Sequence, residues 1–246
     1  NGNAFRLIDA SQRDRISSLC LEAELDFAFV DEPKSLNQFH LIAMDMDSTL
    51  VGIETIDEIA DIHGMRKQVA EITEKAMYGE IDFSEGLIQR VALLKGLEHS
   101  VLQRVYDERL IFNPGAEKML KKLKVAGIKT MLISGGFTFF TDKLKDRLGL
   151  DYTFANTLET VNGRLTGRLL GEVFGAKGKG WALNKICNEL GFRKENLIAI
   201  GDGANDLSMF AEAGVSIAYH AKPIVQENAT YAINHVGLDG VINIFQ

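Results

Sequence analysis

Short apolar runs that stop at polar clusters recur along the chain. His40-Leu41-Ile42-Ala43-Met44 ends at Asp45-Met46-Asp47-Ser48-Thr49, Thr130-Met131-Leu132-Ile133 at Ser134-Gly135-Gly136, and Leu197-Ile198-Ala199-Ile200 at Gly201-Asp202-Gly203-Ala204-Asn205-Asp206. A fourth run is Val215-Ser216-Ile217-Ala218. Runs this short, bounded by turn residues, predict buried strands. Between them the apolar spacing changes to three and four, which predicts helices. Met119, Leu120, Leu123 and Ala126 form one stripe, with Asn113 as N-cap, Pro114 at the first helical position and Gly127 as the stop. Further helices are expected up to Leu148 and from Gly178 to Leu190, the latter closed by Gly191. Residues 151–173 alternate around Asn162-Gly163, a hairpin signal. Strands alternating with helices predict an α/β fold built on a doubly wound, mostly parallel sheet.

After the first strand the pattern departs from a simple crossover. From Ile53 to about Phe112 it is helical throughout, with Ile56, Ile59 and Ala60, then Val69, Ile72, Thr73 and Ala76, then Leu87, Val91 and Leu94, then Val101, Leu102 and Val105. An insertion of this size just after a strand that ends in carboxylates reads as a cap over a site. The division is therefore a core of residues 40–52 and 113–246 and a small helical cap of 53–112. Residues 1–39 read as an appended β-α-β piece, with strands at Phe5–Ile8 and Asp26–Val30 and a helix from Ser11 to about Ala23. The sharper alternative is the remnant of an N-terminal regulatory domain, part of an amino-acid-sensing assembly.

Composition narrows the function. The 246 residues are 46% hydrophobic and 25% charged, with a net charge of -7 and a pI near 5.3. That balance disfavours generic binding to nucleic acid or an anionic membrane. No apolar run reaches the roughly 18 residues of a spanning helix. Cys20 and Cys187 fit neither a zinc pattern nor a disulfide framework, and a cytoplasmic protein is expected. The oligomeric state is left open, with a homodimer as one option.

The strand ends carry the chemistry. Ligands of open α/β sheets bind beyond the carboxyl ends of the strands. Asp45 and Asp47, two apart, leave on one side and converge. Two close carboxylates repel, and a hard cation such as Mg²⁺ offsets the repulsion. A carboxylate can attack phosphorus, dividing one hard step into two, while a second acid serves the leaving alkoxide and then the water. Lys177, flanked by Gly175 and Gly178, is the candidate for neutralising a phosphate.

Asp45-Met46-Asp47-Ser48-Thr49, Ser134, Lys177 and Gly201-Asp202-Gly203-Ala204-Asn205-Asp206 resemble the four motifs of the haloacid dehalogenase superfamily of phosphatases. Glu54-Thr55-Ile56-Asp57-Glu58-Ile59-Ala60, Met77, Phe83 and Gln89-Arg90-Val91 look like its phosphoserine phosphatase family, although Thr55 stands where Cys is more often expected. The resemblance covers residues 40 to about 235. It implies Mg²⁺-dependent hydrolysis of O-phosphoserine, a small-molecule substrate, through an aspartyl-phosphate. Asp45 would be the nucleophile, and Asp47 the general acid and base with its carbonyl on the metal. Asp202 would complete the metal ligands, supported by Asp206. Ser134 and the Gly135 amide would hold phosphate oxygens, Lys177 would offset charge, and Asn205 would orient the phosphoryl group or the lysine. Glu54 would take the substrate ammonium and Arg90 its carboxylate, a bidentate match. Met77 and Phe83 would line the pocket. Two other readings are a phosphatase or phosphotransferase for another small ester, and a receiver domain phosphorylated on Asp45. The helical insertion argues against the receiver.

Overall fold

The computed structural model describes residues 4–8, 11–30, 32–77 and 80–245, with the Met77 side chain outside that description. Helix α1, Arg13–Glu22, comes first and has no buried residue. Neither flanking segment forms a strand: residues 4–8 and 26–30 are irregular. Of the expected β-α-β piece only the helix exists. A strand needs a partner edge, and among the described residues the sheet ends on β4 and β7 instead. Phe5 and Ile8 are each 84% exposed. Asp26 ties the segment to the loop after β7, Tyr231–Ile233. The Asp26 carboxylate accepts the backbone N–H groups of Asn234, His235 and Val236 at 2.6, 3.0 and 2.8 Å.

Strand β1, Leu41–Met44, is buried at every position. It is followed by α2 (Thr55–Ile62), α3 (Arg66–Met77), α4 (Phe83–Leu93) and α5 (Ser100–Glu108). Then come α6 (Ala116–Val125), β2 (Lys129–Phe137), α7 (Thr138–Leu148), β3 (Tyr152–Val161), β4 (Arg164–Leu170), α8 (Ala176–Leu190) and β5 (Leu197–Gly201). The chain closes with α9 (Leu207–Phe210), β6 (Val215–Tyr219), α10 (Pro223–Glu227), β7 (Tyr231–Ile233) and α11 (Val241–Ile244).

The seven strands lie in the order β4-β3-β2-β1-β5-β6-β7. Every pairing is parallel except the β3–β4 hairpin, which turns at Asn162 (φ 50°) and Gly163 (φ 74°). The chain leaves β1 for β2 on one side and returns to β5 on the other, so the order reverses at β1. A crevice opens at such a switch point, beyond the carboxyl ends. Register aligns those ends: Met44 pairs with Leu132 on one side and Ile200 on the other. Buried faces on both sides of the sheet explain why these strands read as unbroken apolar runs.

The chain enters and leaves the four inserted helices side by side. The Gly52 amide donates to the Ile111 carbonyl at 2.8 Å, and Val51 bridges Phe112. Asn113 does not cap the next helix, because Gly115 does so with φ 80°. The Asn113 amide donates instead to the carbonyls of Ser48 and Thr49 at 3.1 and 2.8 Å, which holds the loop after β1.

Candidate active site

Asp45 follows β1 directly, and its amide donates to the Ile200 carbonyl at 3.0 Å. That bond fixes the residue between β2 and β5. Its Oδ1 accepts the Met46 amide at 2.7 Å, and its Oδ2 lies 2.7 Å from Nζ of a lysine. The lysine is Lys179. Lys177 is exposed on the other side of α8, which corrects the sequence reading. Residues two apart on a helix face away from each other. The buried stripe of α8 runs Lys179, Ala182, Leu183, Ile186, Cys187. Extending the apolar stripe back one turn lands on Lys179, a signal present in the sequence.

Lys179 is fully buried and also reaches Asp206 Oδ1 at 2.6 Å. Asp206 Oδ2 accepts the amides of Asp202 and Gly203 at 3.1 and 3.0 Å. Thus Asp206 organises the turn after β5, and Gly201 is glycine because a Cβ there would stand 2.3 Å from the Asp206 carboxylate. Asp202 Oδ1 accepts the Thr49 hydroxyl at 2.7 Å. Asn205 lies within the same turn, half-buried.

Carboxylate oxygens of Asp45, Asp202 and Asp206 all lie within 4.8 Å of one another. Burial, then Asp206, pushes Asp45 well above the usual carboxylate range, with Lys179 opposing. Burial also raises Asp202 to about 6, against the Thr49 hydrogen bond. Asp45 and Asp206 hold Lys179 protonated, above its ordinary value despite its burial. Three enclosed oxygen donors that repel one another suit a hard divalent cation.

Asp47 points to the inserted helices. It accepts the Thr55 amide on Oδ1 and the Thr55 hydroxyl on Oδ2, both at 3.2 Å. Burial first, and Glu54 next, raises it well above the usual range. Ser134 ends the apolar part of β2. Its Oγ accepts the Gly136 amide at 2.8 Å, which leaves the hydroxyl proton as a donor. A Cβ on Gly136 would lie 2.9 Å from Asp47 Oδ2 and 3.0 Å from Ser134 Oγ, so both side chains border that glycine.

The opposite wall comes from α2 and α4. Glu54 keeps an open face to solvent, but its enclosed side still raises the carboxyl, and it accepts the Ser48 hydroxyl at 2.6 Å. Arg90 is half-buried, with Nε donating to the Gly86 carbonyl at 3.2 Å. Burial lowers its pKa, while Asp57, Glu54 and Asp47 oppose that effect. The sequence reading gave Asp57 no role of its own, and it read Asn113 as a helix cap, which hid a different task. Phe83 reaches over Gly135. Met77 ends α3, and its side chain lies outside the described residues.

Comparison with known proteins follows the same lines. A family model described as haloacid dehalogenase-like hydrolase matches residues 39–214. The chain belongs to the haloacid dehalogenase-like hydrolases. This family of hydrolases is metal-dependent in general, in keeping with the carboxylate cluster. The hydrolase chain is 52% identical over 214 residues to a phosphoserine phosphatase of Polaromonas sp., covering 85% of this chain and 91% of that one. A crystal structure of a probable phosphoserine phosphatase from Vibrio cholerae, unliganded, is 42% identical with a TM-score of 0.86, covering 97% of this chain and 73% of the other. A substrate-bound phosphoserine phosphatase structure is also 42% identical, with a TM-score of 0.79, covering 85% of this hydrolase and 99% of that chain. Among the described residues no helix is long and apolar enough to cross a membrane.

Proposed function

We propose that this hydrolase cleaves O-phosphoserine to serine and inorganic phosphate, with Mg²⁺ as its metal. One observation carries the reading. A buried nucleophile-lysine pair, Asp45 and Lys179, faces a wall bearing an acid, Glu54, and a forked cation, Arg90. A zwitterionic amino acid phosphate presents the complementary groups: a phosphate for the core, an ammonium for Glu54 and a carboxylate for Arg90.

Asp45 attacks phosphorus and the ester P–O bond breaks, giving an aspartyl-phosphate and the serine alkoxide. Asp47, whose carboxyl burial raises well above the usual range, gives its proton to that oxygen. It then takes a proton from water, which attacks phosphorus and regenerates Asp45. Ser134 and the Gly135 amide donate to phosphoryl oxygens. Lys179, not Lys177, balances the negative charge of nucleophile and phosphate, and Asn205 orients them. Asp45, Asp202 and the Asp47 carbonyl would hold Mg²⁺, with Asp206 bracing the turn; when bound, the ion supplies charge neutralisation.

The test is phosphate release from O-phosphoserine with Mg²⁺, in the wild type and in Arg90→Ala. The variant should lose about 10²–10³-fold in kcat/KM on O-phosphoserine, the cost of a charged hydrogen-bonded partner. It should change little on an ester without a carboxylate. Equal wild-type turnover of sugar phosphates and O-phosphoserine would overturn the substrate assignment.

A further inference from the structure

Two glycines on separate core segments meet one aromatic ring of the inserted helices. A Cβ built on Gly135, near the end of β2, would stand 2.9 Å from Cζ of Phe83. One built on Gly175, just before α8, would stand 3.1 Å from Cδ1 of the same ring. Neither glycine has a positive φ, and Gly175 is extended at φ -118°, ψ -155°. Alanine adopts such a backbone without strain. These positions therefore need glycine for space, and the space is filled by Phe83.

Asn156 of β3 joins the two sides of this slot. It is 3% exposed. Its amide nitrogen donates to the carbonyls of Gly135 and Phe174, both at 2.9 Å. Its Oδ1 accepts the Phe174 amide at 2.7 Å. Both donors and the acceptor of the side chain are thus spent on the two segments that carry the glycines. A buried amide satisfied at each atom is a rigid spacer, since breaking any one bond leaves a buried polar group unpaired.

Phe83 opens α4, where the Asp82 side chain caps the helix by accepting the Glu85 amide at 2.9 Å. Arg90 lies seven residues on, two turns along the same helical face. Seating the ring fixes one end of the helix that carries Arg90.

We propose that Gly135 and Gly175 form a slot in which Phe83 latches the inserted helices against the core, and that Asn156 is the positioning residue that sets the slot's width. The latch closes the roof of the site and aligns Arg90. This deepens the reading of the roof given above.

A double-mutant cycle tests it, with Gly175→Ala and Phe83→Ala singly and together. Two readouts are used. One is KM and kcat on O-phosphoserine with Mg²⁺. The other, on substrate-free protein, is hydrogen exchange in peptides spanning Gly135 and Gly175. Gly175→Ala should raise KM about tenfold with kcat within about twofold, and should speed exchange at Gly135. Phe83→Ala should do the same, and the double variant no more than Phe83→Ala alone. Asn156→Asp keeps the size but turns a carboxylate oxygen toward two carbonyls, and should match Gly175→Ala in KM. Asn156→Ser serves if the aspartate variant does not fold. An unchanged KM in Gly175→Ala, or equal effects with and without the Phe83 ring, overturns the latch. The exchange readout needs no substrate, so a wrong substrate and a wrong latch give different failures.

Discussion

Thr55 holds both oxygens of Asp47, one through its amide and one through its hydroxyl. The first residue of the inserted helices thus grips the acid of the core loop. Thr55→Val removes only the hydroxyl donor. On O-phosphoserine, kcat should fall roughly tenfold, one hydrogen bond's worth, with KM unmoved. Thr55→Ser should restore it. Steady-state kinetics on the three proteins decides the point, and an unaltered kcat in the valine variant would remove the hydroxyl from the mechanism.

Lys179 and Lys177 give a sharp contrast. Lys179→Met leaves Asp45 and Asp206 buried without their cation, and should cost about 3–5 kcal/mol of stability together with all activity. Lys177→Met changes an exposed side chain and should stay within about 0.5 kcal/mol. Chemical denaturation and phosphate release on both variants check this.

Metal should stabilise the protein in a pH-dependent way. Asp202 titrates near 6 in the ion-free fold, raised chiefly by burial. A carboxyl whose pKa is higher folded than unfolded favours folding in its protonated form. That contribution is fully present below the ordinary aspartate value of 3.8 and is lost as pH rises through about 6. Above that range Asp202 is ionised and repels its neighbours, and Mg²⁺ no longer competes with the Asp202 proton. Added Mg²⁺ should therefore raise Tm more at about pH 7.5 than at about pH 5. Thermal melts with and without the ion measure it, and an equal shift at both pH values would contradict the carboxylate cluster as the metal site.

Asp26 anchors the N-terminal segment through three backbone amides. Asp26→Ala should lower stability by about 1–3 kcal/mol, since those amides lose a charged acceptor. It should leave KM for O-phosphoserine in place, because Asp26 itself hydrogen-bonds only the backbone amides of Asn234, His235 and Val236 among the described residues. A melt and a KM measurement settle both halves.

The apolar runs by themselves determined the four central strands, their mostly parallel sheet and the meeting of Asp45, Ser134 and Asp202 at one edge, while the strand order and β7 came from the structure. Burial on both faces leaves few polar positions in such strands, and the exceptions Thr130 and Ser216 are themselves buried, so short apolar runs bounded by turn residues suffice. The Asn162-Gly163 turn was equally legible, because its left-handed backbone selects those residues. The lysine was legible only through the helix face, since Lys177 and Lys179 both sit among glycines and the apolar stripe of α8 separates them; tertiary structure decided which carboxylates that face meets. It decided the N-terminal segment too: alternating residues become a strand only where an edge accepts them, and the described sheet is bounded elsewhere. It also gave Asn156, Asn113 and Thr55 their partners. A single polar residue carries no period, and its role is fixed by which distant backbone or carboxylate the fold brings within hydrogen-bond reach.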